Sequence, residues 1–371
     1  MKSGSATLAG TKRYAERASP PASSAHFRDQ NGLWISSIGL GTYLGHWDDR
    51  TDLMYQEAIK RGIGLGCNLI DSAINYRFQR SERAIGAALK QLFDGGKLAR
   101  DQVIVATKGG FLSFDGEPPR DAGRWIRENL IEPGALRQED LVDSHCMSPG
   151  YLNHQINQSL KNLGLDTIDI YYIHNPETQL GSITRDLFNK RLRSAFECLE
   201  GAVSDGRIKL YGTATWNGYR QAPDSPGYLS LVEIERIARE VAGPDHHFRV
   251  IQLPYNLGMP EALTLGNQSI DGVALSVLDA ATQLGISVMA SASILQAKLI
   301  QGLPDFVGKA LRGLSTDGQR AIQFVRSTPG VTAALVGMCQ RSHVEENMMV
   351  ARIPPAPIED FLQIFSDQDG Q

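Results

Sequence analysis

Cysteine is scarce in this 371-residue chain, and its four copies, Cys67, Cys146, Cys198 and Cys339, stand far apart with no CxxC pair. That spacing excludes a disulfide framework and a zinc knuckle and suits a reducing compartment, so a cytoplasmic protein is expected. An excess of one charge is also lacking. Lys and Arg number 37 against 41 Asp and Glu, a formal net charge of -4, with no long single-sign run to meet a phosphate backbone or an anionic membrane. No nucleic acid and no membrane partner is expected, and no apolar stretch approaches the length of a membrane span. There is no HExxH motif and no Cys/His ligand set; His246 and His247 are adjacent and would point to opposite faces of a strand, so no metal is expected. A GxGxxG turn is missing too: GLGTYLG, residues 39–45, has its glycines at other intervals.

Hydrophobic residues make up 42% of the chain, enough for one large core. Short apolar runs recur at 36–42, 68–73, 102–108, 168–175, 208–215, 249–256, 285–293 and 332–337. Between them DLMYQEAIKRG, SERAIGAALKQLF, YLNHQINQSLKNLG, LFNKRLRSAFECLEGAVSDG and GVALSVLDAATQLG return apolar residues every three or four positions, the spacing of helices. The strands are continuously apolar, as parallel strands covered by helices are. Strand then helix, eight times over, predicts an α/β fold, a (β/α)8 TIM barrel; an open doubly wound sheet is the alternative, and the missing GxGxxG turn argues against it. Residues 1–30 mix small, polar and basic residues without the apolar core of a secretory signal, and are expected as a flexible arm running into a hairpin around Phe27 to Ile35. Residues 31–371 then form a single barrel domain. The loop after the third strand is enlarged, with an insertion at 111–150 rich in Gly, Pro and charge that predicts a loop with a short helix at the rim.

In a parallel barrel the chemistry gathers at the C-terminal ends of the strands. Those ends carry Thr42 and Tyr43 after the first strand, Asp71 and Tyr76 after the second, Lys108 after the third, and His174 with Asn175 after the fourth. Side chains on adjacent strands can converge.

The motifs GLGT, IDSAINYRFQRSERAIGAAL, VIVATK, LGLDTIDIYYIHNPE and GRIKLYG, in that order, resemble the aldo-keto reductase superfamily, over about Ile35 to Asn347. The resemblance implies a catalytic tetrad of Asp71, Tyr76, Lys108 and His174. It also implies a nicotinamide dinucleotide, NADP(H) before NAD(H), laid across the mouth. Matched residue by residue, Gly41 and Thr42 border the nicotinamide ribose, and Asn175, Thr215 and Gln252 fall near the carboxamide. Ser291, Leu295 and Gln296 follow the seventh strand; Gly337 and Met338 offer backbone N–H groups to phosphate. Arg341 and His343 are the cationic candidates for a 2'-phosphate, and Asn347 reaches the adenine. Two positions depart from the family: Ala214-Thr215 stands for its usual Ser-Asn, and Ser291 for an aromatic that stacks on nicotinamide, a loss that Trp216 or another ring would have to make good.

The chemistry follows from the residue types. Carbonyl reduction needs a proton donor for the oxygen, and a phenol of pKa about 10 donates poorly at pH 7 unless its conjugate base is stabilised. Lys108 beside Tyr76 is expected to lower the phenol pKa, with Asp71 keeping the ammonium charged and oriented. His174 would turn an N–H toward the same oxygen. Tyr43, Trp47, Phe111, Phe114 and Trp125 are expected in the substrate pocket, with Arg77 positioned for an anionic substrate group if it faces the mouth. Asp143, His145 and Cys146 in DSHCMSP do not make a nucleophile with its base, because adjacent His and Cys rarely face each other. The expected function is NAD(P)H-dependent reduction of an aldehyde or ketone, a small-molecule carbonyl. The alternative keeps fold and cofactor but makes the chain a redox-sensing or regulatory barrel with little turnover.

Overall fold

The computed structural model describes residues 1–17 and 22–366. In chain order the elements are α1 (Leu8–Glu16), β1 (Phe27–Gln30), β2 (Leu33–Ser36), β3 (Ile38–Gly41), α2 (Asp49–Gly64), β4 (Leu69–Asp71), α3 (Arg80–Asp94) and β5 (Ile104–Gly109). Then come α4 (Ala122–Ile126), α5 (Pro149–Leu163), β6 (Ile168–His174), α6 (Arg185–Ser204), β7 (Ile208–Ala214), α7 (Leu231–Ala242) and β8 (Phe248–Pro254). The chain finishes with α8 (Glu261–Thr264), β9 (Gln268–Ile270), β10 (Val273–Leu275), α9 (Val277–Gln283), β11 (Ser287–Ser291), α10 (Asp305–Ala310), α11 (Asp317–Ser327), β12 (Val331–Gly337), α12 (Arg341–Met348) and α13 (Ile358–Ser366).

Eight parallel strands close in the order β11-β12-β3-β4-β5-β6-β7-β8, and all eight fall on the apolar runs of the sequence. Closure settles the choice against an open sheet. Because strand side chains alternate, every second residue points into the barrel. Leu69, Ile104, Ala106, Ile170, Tyr172, Val250, Met289 and Leu335 pack there, while Ile70, Val105, Ile173, Ile251, Val288 and Val336 meet the helices outside. The same parity carries on to the top, so Gly41, Asp71, Lys108, His174, Ala214, Gln252, Ser291 and Gly337 all end up at the mouth. At Gly212 a Cβ would stand 1.7 Å from the Val250 carbonyl oxygen, so only glycine lets β7 and β8 come this close.

Two expectations are corrected. The first part of the supposed arm is a helix, α1, capped by Thr7, whose side chain accepts the Gly10 N–H at 2.9 Å. It is tied to the barrel by the Ala6 N–H on buried Asp169 at 2.6 Å and by the Tyr14 hydroxyl on the Cys67 carbonyl at 3.1 Å. The hairpin that follows is β1–β2, and its Leu33 and Ile35 join the barrel's inner core. Second, the helix expected from GVALSVLDAATQLG begins only at Val277. Its first residues pair with β9 instead, since Asp271 and Gly272, at φ +51 and +80, make the Asp-Gly turn of a two-residue hairpin. The insertion holds a short helix as expected, α4, extended as a π-helix over Arg127–Ile131.

Two buried histidines set an acid limit on the fold. Burial pushes His26 down to about 3, with the charges of Arg326 and Arg28 adding to it, and burial with the charge of Arg191 pushes His145 down to about 4. A histidine held neutral in the fold but free to charge when unfolded stabilises fully above its unfolded value near 6.5 and loses that contribution as pH falls. The two together should cost roughly 4 kcal/mol between pH 7 and pH 5. The thermal midpoint should therefore hold steady from pH 8 to 7 and drop by pH 5, with His26→Gln removing one histidine's share of the drop. A midpoint indifferent to pH over that lower interval would contradict neutral burial.

Candidate active site

The mouth opens into a cavity of about 810 Å³. On one wall β4 and β5 place Asp71 and Lys108 side by side, both pointing inward. The Lys108 ammonium donates to Asp71 Oδ2 at 2.6 Å, to the Ser72 carbonyl at 2.7 Å and to the Tyr76 hydroxyl at 3.4 Å. Gln252 reaches from across the barrel and donates to the other Asp71 oxygen at 2.8 Å. Tyr76 stands on the turn after β4, edge-on to His174 with ring centroids 5.8 Å apart and against Tyr43 at 4.9 Å. The four residues expected as a tetrad are thus brought together.

Their electrostatics differ in one respect from expectation. Burial pushes the Tyr76 phenol up, and that outweighs the downward pull of Lys108, with Asp71 adding a further upward push. The net shift is upward, not downward. For Lys108, burial pulls the ammonium down, but Asp71 and Tyr76 together more than offset it and its pKa stands above the usual lysine value. Burial, with the charge of Lys108 and the neighbouring His145, holds His174 well below the ordinary imidazole value, so it is neutral at pH 7. The site therefore presents a neutral phenol, a charged ammonium behind it and a neutral imidazole, an array suited to delivering a proton to an oxygen that gains negative charge.

The cavity wall includes Gly41, Thr42, Tyr43, Asp71, Tyr76, Phe111, His174, Asn175, Thr215, Gln252, Ser291, Gln296, Gly337, His343 and Asn347. Lys108 lies just behind it. Seven other expected site residues, Phe114 among them, are not on the wall. Arg77 takes φ +47, which turns its side chain away from the mouth: it donates to Asp52 at 2.7 Å and lies over the Tyr55 ring at 4.7 Å. Trp47 packs edge-on to Phe78 at the rim, 48% exposed. Trp125 meets Phe114 and joins the insertion's own apolar cluster around Leu130, Leu136, Cys146 and Tyr151. Leu295, at φ +47, turns toward the loop after β8 near Gly258. Met338 is buried in the core, and Arg341 is drawn off by Glu345 at 3.0 Å, its side chain 67% exposed.

The wall also contains Trp216, the ring named above as a stand-in for the missing aromatic, and residues the strand ends did not announce: Leu44, Asn75, Ile300, Thr316, Gly318, Cys339 and Glu346. Thr316 and Gly318 arrive with the start of α11, where Thr316 and Gln319 form a capping box. The T-x-x-Q pattern in STDGQ was the available signal. Glu346, beside Asn347 on α12, accepts from the Thr316 hydroxyl at 2.7 Å.

Residues 37–225, just over half of the chain, match the model of the Aldo/keto reductase family. The resemblance read from the motifs extends further, to Asn347, so the wall residues from Gln252 onward lie outside the matched span. The NADH-specific methylglyoxal reductase of Escherichia coli (strain K12) is 32% identical over 187 residues, 49% of each chain. The chain spans about half the length of the first curated relatives that it matches. A Schizosaccharomyces pombe protein called, provisionally, a voltage-gated potassium channel subunit beta is 22% identical over 353 residues, 87% of this chain and 86% of that one. Among solved structures, an aldo/keto reductase from Klebsiella pneumoniae in complex with NADP and acetate superposes with a TM-score of 0.62 at 19% identity, over 92% of this chain and 94% of that one, a likeness of fold.

The buried pair can be tested by itself. Asp71→Asn leaves the Lys108 ammonium buried without its counter-charge and should cost about 3 to 5 kcal/mol in urea unfolding, most of it recovered when Lys108→Met is added. Equal losses in the single and double variants would mean that the two side chains do not compensate each other.

Proposed function

The chain belongs to the aldo/keto reductase family, and from that premise we propose that it is a cytoplasmic NADP(H)- or NAD(H)-dependent oxidoreductase that reversibly reduces an aldehyde or ketone to the alcohol. The observation that carries the reading is the Lys108 ammonium held between Asp71 and the Tyr76 phenol at the wall of an open cavity. The wall suits a dinucleotide: the Thr215 hydroxyl is buried there with no hydrogen-bond partner, as is the Asn75 side-chain oxygen, and a buried polar atom calls for a ligand group to meet it. When bound, the reduced nicotinamide supplies hydride to the carbonyl carbon. Tyr76 gives its proton to the carbonyl oxygen as negative charge builds there, and the phenolate left behind is stabilised by Lys108. His174, neutral, turns an N–H to the same oxygen and fixes its direction. Asp71, gripped by Gln252 and Lys108, keeps the ammonium in place through the step.

The substrate is a neutral, apolar carbonyl compound. Tyr43, Tyr76, Phe111 and Trp216 bring four rings to the wall, and Arg77, the cation nearest in sequence to Tyr76, is spent on Asp52. At the far end His343 lies on the wall beside Glu346, while Arg341 is engaged by Glu345, which Arg61 also grips at 2.7 Å. Preference for the phosphorylated cofactor then rests on His343 rather than on Arg341.

One observation favours a second reading, the regulatory barrel with little turnover: the relative called a channel beta subunit matches along most of both chains. Both readings predict cofactor binding, and turnover separates them. Tyr76→Phe should bind the reduced cofactors as wild type does, by fluorescence titration, and lose about 100- to 10,000-fold in kcat with aromatic aldehydes. Wild-type turnover no faster than that of Tyr76→Phe across a panel of neutral carbonyls would favour the regulatory reading. In the same titration Arg341→Ala should change NADPH affinity by less than about threefold, because its guanidinium is an exposed partner of Glu345; a larger, NADPH-specific loss would restore Arg341 to the phosphate site.

A further inference from the structure

Strand β6 outlasts its neighbour. The last β5–β6 pairing is Gly109 with Ile173, so the carbonyl of His174 lies one residue beyond the end of β5. The insertion supplies a partner for it. Val142 and His145 exchange backbone hydrogen bonds at 2.9 and 2.8 Å around Asp143, at φ +54, and this tight turn brings His145 back against the end of β6. There its Nε2 comes within 2.8 Å of the His174 carbonyl oxygen. Gly110, at φ +129, makes the approach possible, since a Cβ there would stand 2.6 Å from that nitrogen.

The proton on His145 can be placed by elimination. Arg191 only donates, and its Nη1 meets Gln179 Oε1 at 3.0 Å. The Gln179 amide nitrogen therefore donates to His145 Nδ1, also at 3.0 Å, which leaves the ring proton on Nε2, aimed at the His174 carbonyl. Phe111 stands edge-on to both imidazoles, 5.2 Å from His145 and 5.1 Å from His174, and lines the cavity.

We infer that His145 is a positioning residue for His174: the insertion carries an N–H donor that holds the His174 main chain from behind and fixes where its ring stands at the mouth. Its effect on turnover rests on the reductase reading; its effect on His174 does not. The insertion then acts as a buttress to the catalytic wall.

The test uses full-length protein labelled with 15N-histidine, the His174 ring signals being assigned by their loss in His174→Asn. His145→Phe should shift or split those signals and lower kcat at least tenfold, while the cofactor dissociation constant stays within about twofold, since misplacing a catalytic group by about 1 Å can cost 100-fold. His145→Gln, whose amide N–H can reach the same carbonyl, should restore the signals and bring kcat to within about threefold of wild type. Folded His145→Phe with unchanged His174 signals, or His145→Gln that folds but rescues neither readout, overturns the inference. Should His145→Phe fail to fold, Gln179→Leu, which releases the ring from its fixed tautomer, must perturb the His174 signals or the inference falls. If wild type itself turns over no carbonyl, the reductase reading fails, and the ring signals still decide the role of His145.

Discussion

An ammonium ion buried at the end of a β-strand is the constraint around which this mouth is organised. Taking such an ion out of water costs several kcal/mol even after the protein relaxes. Lys108 meets that cost with a carboxylate on the adjacent strand, a main-chain carbonyl and a phenol. Asp71 cannot serve unless its second oxygen is also satisfied, and Gln252 does this from the far side of the barrel. The pair thus depends on closure. It depends equally on register, since sliding β4 or β5 by one residue would turn Asp71 or Lys108 out toward the helices.

Around the ring, the last inward residues divide into two arcs. β4, β5 and β6 end in Asp71, Lys108 and His174, which fill their side of the mouth with polar groups. On the other side β11, β12 and β3, also consecutive, end in Ser291, Gly337 and Gly41, which fill almost nothing. The cavity runs over this bare arc from Tyr76 to Asn347. The bare arc leaves room along it for a long, flat ligand. The insertion leaves the barrel after β5 and returns before β6, so it backs the polar arc and leaves the bare one open.

This division explains what the sequence disclosed. The polar arc is encoded in three strands whose apolar runs stop at Asp71, Lys108 and His174, and parity alone sends all three inward. The fold and the convergence of Asp71, Lys108 and His174 are therefore legible from strand ends, whereas Tyr76 lies on the turn after β4 and was grouped with them by the family resemblance. Arg77 is one residue from Tyr76 yet points elsewhere, because Arg77, Phe78 and Gln79 take φ +47, +55 and +72, and no strand or helix period describes such a run. Trp125 looked like a pocket residue by its nearness to the rim, but the insertion is long enough to build a small core, and the ring went into it. Thr316, Gly318 and Glu346 come from helices, where being on the wall depends on how the helix is docked. The upward shift of Tyr76 was missed for a different reason: a sequence shows which charges lie near a phenol but not how completely water is removed from it.

That upward shift bears on how the proposed reduction would be timed. A phenol driven down by its lysine would spend part of its time as phenolate and lack a proton to give. Here the lysine is engaged more closely by Asp71, at 2.6 Å, and by the Ser72 carbonyl, at 2.7 Å, than by the phenol, at 3.4 Å. Tyr76 accordingly keeps its proton in the resting site. The charge needed to stabilise phenolate is already in place behind it and is drawn on only when a substrate oxygen becomes basic enough to take the proton. Fixed charges that act on the developing charge and leave the resting state alone lower the barrier without stabilising the ground state by the same amount. The same reasoning gives the pair Asp71–Lys108 a purpose that register alone would not require: with Gln252 and the Ser72 carbonyl it holds an ammonium close enough to Tyr76 to stabilise its anion, yet too well satisfied to take its proton early.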